Sequence, residues 1–170
     1  MIKPIVKEPN PRLHRKSQEV RQVSAEIQQL IDAMIETMHA AGGVGLAANQ
    51  IGSPLNILVA SADGQRGKEL VLLNASVRRR QGRSRSPEGC LSVPGVSAEV
   101  TRPACVKVSG MNREGTLVTF EADGLLAKIL QHEVDHLQGH LFFERLRIVE
   151  RRRLLKQYDS ILRILNQVQV

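Results

Sequence analysis

The run His132-Glu133-Val134-Asp135-His136 has residue types and spacing that could carry chemistry. On a helix, residues four apart share a face, so both imidazoles can reach one metal ion. Glu133, next to the first imidazole, is placed to take a proton from water that such an ion acidifies. The other reading is a buried helix that happens to carry two histidines. Apolar residues stand before, within and after the run, and unpartnered imidazoles and a carboxylate in such a core would be costly. A catalytic ion usually has three protein ligands and one open position. Candidates for the third ligand are His140, Glu144 and Glu150 downstream and, upstream, Cys90 in Glu88-Gly89-Cys90-Leu91-Ser92. A thiolate with two imidazoles forms a tetrahedral set that suits zinc, and iron, nickel or cobalt can use it too. Cys105, between Ala104 and Val106 in strand-like sequence, reads as a small buried residue. A third segment, Gly43-Val44-Gly45-Leu46-Ala47-Ala48-Asn49-Gln50, is made of small residues that let a backbone approach a ligand closely. It lacks the Gly-Lys-Ser ending of a phosphate loop, and Gln50 adds an amide donor and acceptor.

These residues need elements to hold them. Ser24 is a good N-cap for a helix over 25–41, whose Ile27, Leu30, Ile31, Met34, Ile35 and Met38 form one apolar face ended by Gly42 and Gly43. Short β-rich runs follow at 55–59, 70–73, 106–108 and 117–121, the last two joined by a turn over 111–115. Asp123 is placed to cap a helix from 124 to about 138, with Leu126, Ile129, Leu130, Val134 and Leu137 inward and Gly139 as its stop. A third helix, about 149–168, is basic on one side and carries Leu154, Leu155, Ile161, Leu162 and Leu165 on the other. The order helix, strands, helix, helix predicts an α+β domain spanning 1–170. Mostly antiparallel sheets would pack around a central helix bearing His132 and His136, with helices at both ends.

Composition narrows the classes. A chain of 170 residues with 42% hydrophobic and 24% charged residues is globular. Aromatics at 2% argue against modules that stack bases. The net charge of +7 is concentrated at 78–85 and 145–170, which suggests a polyanionic neighbour or a solvated face, without sequence-specific nucleic-acid binding. Two cysteines are too few for a disulfide scaffold, and no run has signal-peptide or membrane-spanning length. The expectation is a cytosolic or organelle-matrix protein with reduced thiols and no membrane contact.

Together the three segments resemble the signatures of the peptide deformylases, metal hydrolases that remove the formyl group from new bacterial polypeptides. G-x-G-L-A-A-x-Q stands at 43–50, E-G-C-L-S at 88–92 and H-E-x-D-H at 132–136. Pro9-Asn10-Pro11-Arg12-Leu13 and Phe120-Glu121-Ala122-Asp123-Gly124-Leu125-Leu126-Ala127 are similar to further family segments, so the resemblance covers nearly the whole chain. It implies Cys90, His132 and His136 as ligands of one divalent ion, commonly Fe(2+), with Zn(2+), Ni(2+) or Co(2+) as alternatives. It implies Glu133 as acid and base, with Gln50 and the backbone N–H of Leu91 at the oxyanion. Backbone at Val44, Gly45 and Gly89 would hold a formyl-methionyl peptide extended, and Leu125, Ile129 and the wall of His132 would line the methionine pocket. Glu88 and Arg102 match a pair that braces the cleft.

The chain departs from the family at three cleft positions. Pro87 stands where an acid is common, Ser97 where some relatives carry Arg, and Lys128 where an apolar residue is common. The resemblance also implies the bacterial cytoplasm and a meeting with the ribosome. Arg151, Arg152, Arg153 and Lys156 open the last helix, where cations oppose the macrodipole, so another reason for them is expected: phosphates of ribosomal RNA near the exit tunnel. The same centre would serve another metal-dependent amidase or peptidase, and the basic stretches a ribosome- or RNA-binding protein with a structural ion.

Overall fold

In the computed structural model, which describes residues 1–168, the elements follow in this order. They are α1 (Ala25–Ala40), β1 (Gly45–Ala47), β2 (Ile57–Ala60), β3 (Leu70–Gln81), β4 (Ser84–Cys90), β5 (Val93–Arg102), β6 (Cys105–Met111), β7 (Leu117–Asp123), α2 (Gly124–Leu137) and α3 (Ile148–Val168). Five strands form one antiparallel sheet in the order β1-β2-β3-β6-β7, and β4 and β5 form a separate antiparallel hairpin. The fold is α+β, as predicted.

The core explains why these segments adopt these elements. Leu58, Ala60 and Leu72 on one face of the sheet pack with Ala127, Leu130, Val134 and Leu137 of α2. Ile57, Val59, Val71 and Leu73 on the other face pack with Ile31, Met34 and Met38 of α1. Alternate residues of β2 thus meet different helices, which is why all four of its residues are buried. A third cluster joins Val93, Val96 and Val100 of β5 to Phe142, Phe143, Leu154 and Tyr158. The Tyr158 hydroxyl donates to the carbonyl of Glu8 at 3.0 Å, tying α3 to the N-terminal segment.

Several local expectations hold. Ser24 accepts from the N–H of Ile27 as the cap of α1. Asn112 accepts from the N–H groups of Glu114 and Thr116 in the β6–β7 turn. Gly139, with φ +83°, ends α2 where a Cβ would lie 2.7 Å from the carbonyl oxygen of His14.

Others are corrected. Asp123 precedes α2 in extended conformation but makes no capping hydrogen bond, and the chain enters the helix through Gly124 at φ +53°. Cys105 is exposed, because β6 turns Val106 and Val108 inward and Cys105 and Lys107 outward. Leu165 is exposed too; packing along α3 buries Leu154 and Tyr158, half-buries Leu155, Ile161 and Leu162, and leaves Ile164 and Leu165 in solvent. The sheet is also longer than expected: β3 runs on to Gln81, and β1, β4 and β5 lie in segments with no strand pattern.

Candidate active site

Three elements bring the chemical groups together. α2 presents His132, Glu133 and His136, β4 ends on Cys90, and the turn after β1 carries Gln50. The pairing of β4 with β5 slips between Gly89 and Cys90, so Cys90 pairs with Val93 after Gly89 has paired with Ser97. That irregularity ends the ladder at Cys90, beside α2. Its Sγ lies 3.2 Å from Nε2 of His136, and the ligand atoms of Cys90, His132 and His136 all lie within 4.8 Å of one another.

The surroundings orient each group. Nδ1 of His132 is 3.1 Å from a carboxylate oxygen of Glu88, which leaves Nε2 for the centre. Arg102 donates twice to Glu88, at 2.5 and 3.0 Å, and once to Asp135 at 2.9 Å. Asp135 also receives the guanidinium of Arg145. Asn49 donates to the backbone carbonyl of His136 at 2.6 Å. The N–H of Ser92 reaches Cys90 Sγ at 3.4 Å. Gln50 accepts from the N–H of Ala47 at 2.9 Å, which aims its NH2 at Ser92 Oγ (3.1 Å) and Cys90 Sγ (3.5 Å).

Two atoms of the site are buried with no hydrogen-bond partner, Oε2 of Glu133 and Nδ1 of His136. Burial raises the pKa of Glu133 to about 7, against the pull of His132 and Arg102. Burial also raises that of Glu88, but hydrogen bonds from His132 and Arg102 and the charge of Arg102 outweigh it and hold the pKa at about 2. Burial favours the neutral form of both imidazoles, and His136 is held well below the ordinary range. His132 is held well above it, because its bonds to Cys90 and Glu88 and the charges of Cys90 and Glu133 favour a cation there. A soft sulfur and two imidazoles, one of them held neutral, fit one transition-metal ion.

Beside this centre lies a cleft of about 410 Å³. Of the residues singled out from sequence, Val44, Gly45, Gln50, Gly89, Cys90, Leu91, Leu125, Ile129, His132 and Glu133 all line it, and His136 is wholly buried behind. His140 and Glu150 are exposed, and Glu144 bonds His140 at 2.8 Å, away from the centre. Gly45 is required by contact: a Cβ there would lie 2.5 Å from Glu133 Oε1 and 2.8 Å from Ile129 Cγ2. Of the departing residues, Pro87 and Lys128 line the cleft, and Ser97 sits opposite Gly89 on β5.

Sequence reasoning missed the parts of this shell whose partners are distant. Asp135 links Arg102 to Arg145, and Lys7 donates to the carbonyl of Leu91 at 2.5 Å. For Asp135 a signal existed, since a carboxylate at a buried helix position needs a cation; for Lys7 nothing local pointed to the cleft.

Comparison with known proteins agrees with this geometry. A profile of the polypeptide deformylase family matches residues 2–152. The peptide deformylase of Rhizobium meliloti is 43% identical over 162 residues, 94% of this chain and 93% of that one. The crystal structure of a peptide deformylase from Legionella pneumophila superposes with a TM-score of 0.92 at 36% identity, over 98% of each chain. That of Ehrlichia chaffeensis peptide deformylase in complex with actinonin gives 0.86 at 36% identity, over 94% of this chain and 96% of that one. With the profile spanning most of its length and relatives above 40% identity, this chain belongs to the polypeptide deformylase family.

Proposed function

We propose that this protein hydrolyses the formyl group from formyl-methionyl N-termini of nascent polypeptides. Water adds to the formyl carbonyl, the C–N bond breaks, formate leaves and the amine keeps a proton. The observation that carries this reading is the convergence of Cys90, His132 and His136 with the unpartnered carboxylate of Glu133 at the wall of a peptide-sized cleft. One divalent ion held by that sulfur and the two imidazoles would supply Lewis acidity, polarising the carbonyl and acidifying water.

The chain's own groups do the rest. Glu133, whose buried Oε2 has no partner, accepts the proton of the attacking water and returns it to the departing amine. The NH2 of Gln50 and the N–H of Leu91 donate to the oxygen on which charge develops, each worth roughly 3 kcal/mol of barrier. Because the N–H of Ala47 holds the other end of the Gln50 amide, that donor is already oriented. β1 is an edge strand, and β4 has one unpaired edge, so backbone at Val44, Gly45 and Gly89 can pair with an extended peptide. Leu125 and Ile129 form the apolar wall that receives methionine.

Ferrous iron is the ion we assign, with zinc, nickel and cobalt also compatible with the donor set. Residues 1–170 act as one catalytic domain in the bacterial cytoplasm; among the described residues no helix is long and apolar enough to cross a membrane. The exposed Arg151, Arg152, Arg153 and Lys156 of α3 contact ribosomal RNA phosphates near the exit tunnel while Leu154 and Tyr158 anchor the helix.

The test is formate release from formyl-Met-Ala, with acetyl-Met-Ala and Met-Ala as controls, on anaerobically purified protein whose metal is identified by elemental analysis. Equal cleavage of the acetylated peptide, or of the Met-Ala bond, would point to a general amidase or peptidase. Replacing the four cations with Gln should abolish salt-sensitive co-sedimentation with ribosomes and spare free-peptide turnover.

A further inference from the structure

Leu125, Lys128, Ile129 and His132 stand at i, i+3, i+4 and i+7 of α2 and form one stripe along the cleft. An ammonium group in that stripe is out of keeping with a pocket for a thioether. Lys128 lines the cleft with Leu125 and Ile129, and its Nζ donates to the carbonyl of Pro87 on β4. A second cavity of about 360 Å³ adjoins the first, lined by Ser84, Ser86, Pro103 and Gly124, and the two share only Leu125 and Lys128. Leu125 and Lys128 therefore stand between the two cavities, and Lys128 is the one that brings donors to that boundary.

An ammonium carries three donors, and the Pro87 carbonyl takes one. The thioether of methionine is a weak acceptor and offers these donors little. Methionine sulfoxide is one atom larger and ends in a strong acceptor oxygen.

We propose that Lys128 makes this pocket accept a first side chain ending in a hydrogen-bond acceptor, so that formyl-methionine sulfoxide N-termini are substrates as well as formyl-methionine. This rests on the deformylase reading above and deepens it. The hydrolytic step is unchanged, the sulfoxide passes through it unaltered, and no redox partner is needed. The sulfoxide oxygen takes a charge-assisted hydrogen bond from Nζ, and the unoxidised side chain still packs on the lysine stem.

The experiment measures kcat/KM for formyl-norleucyl-Ala, formyl-Met-Ala and the two sulfoxide epimers of the latter. It uses wild-type enzyme, Lys128→Met and Lys128→Arg. Wild type should turn over one epimer within about threefold of the methionine peptide, because a chiral acceptor meets a fixed donor. In Lys128→Met the ratio of sulfoxide to norleucine turnover should fall about tenfold, mainly through KM, with the epimer preference lost. Lys128→Arg should retain the preference. Rejection of both epimers by wild type, or an equal loss on all peptides in Lys128→Met, would reduce Lys128 to a strut for β4 and overturn the proposal. If norleucine turnover persists in that case, deformylation stands; no turnover of any formyl peptide would defeat both.

Discussion

Glu88 and Glu133 both line the cleft beside His132, and they are 3% and 4% exposed. Their surroundings differ completely. Glu88, on the hairpin side, receives two bonds from Arg102 and faces Nδ1 of His132. Glu133 keeps Oε2 without a partner, and its other oxygen, Oε1, has room only because Gly45 carries no side chain. The first carboxylate is saturated and stays charged; the second is desolvated and shares its proton near neutrality. Burial by itself therefore does not say which acid supports a site and which one reacts. The count of donors does.

Exchanging the two roles by mutation should separate them. The largest effect is expected for Glu133→Gln, which removes the proton acceptor and should lower turnover by about 10²–10⁴-fold with metal content unchanged. Formate release and elemental analysis on the same sample check it; turnover near wild type would take Glu133 out of the chemistry. Glu88→Ala should act on the scaffold. It leaves Arg102 short of a buried partner, at a cost of about 3–5 kcal/mol in chemical denaturation. It also frees Nδ1 of His132, so metal affinity in chelator competition should weaken about 10–100-fold.

A subtler contrast lies in the acid–base dependence of the ion-free protein. Glu88 has a folded pKa of about 2 against 4.5 ordinarily, so its stabilisation is full above 4.5 and is lost as pH falls towards 2. Glu133 runs the other way: with a folded pKa of about 7, the protein loses stability as pH rises from 4.5 to 7. Denaturation midpoints across pH should flatten above 4.5 in Glu133→Gln and below 4.5 in Glu88→Gln; the same flattening in both variants would erase the distinction. The smallest effect belongs to the cysteines' contrast. Cys105→Ser should stay within about 0.5 kcal/mol of wild type with its metal intact, whereas Cys90→Ser should lose the ion.

Much of this site could be read before the fold was known, and the reasons are local. Helical spacing put His132 and His136 on one face, and small residues at 43–49 announced a close backbone approach that Gly45 makes against Glu133. The hairpin that delivers Cys90 was not readable as structure. Ser84-Arg85-Ser86-Pro87-Glu88-Gly89-Cys90 has no alternating apolar pattern, because one face of β4 meets water and its buried residue is the charged Glu88. Cys105 failed for the related reason that strand-like sequence does not say which way the alternation points until a neighbouring sheet supplies the core.

Taken alone, the sequence determined what depends on neighbours a few positions apart: the three helices, the turn at 111–115, and a pair of imidazoles with a carboxylate beside them. Family resemblance added Cys90 to that set. Only the tertiary structure decided the distances across it, with Cys90 Sγ 3.2 Å from a ring 46 positions away, Arg102 shared between Glu88 and Asp135, and Lys128 reaching across to Pro87. Helical periodicity is a property of bonded geometry and is written in the chain. Which carboxylate is satisfied and which is left short depends on donors brought by other elements, and no local rule of spacing specifies those.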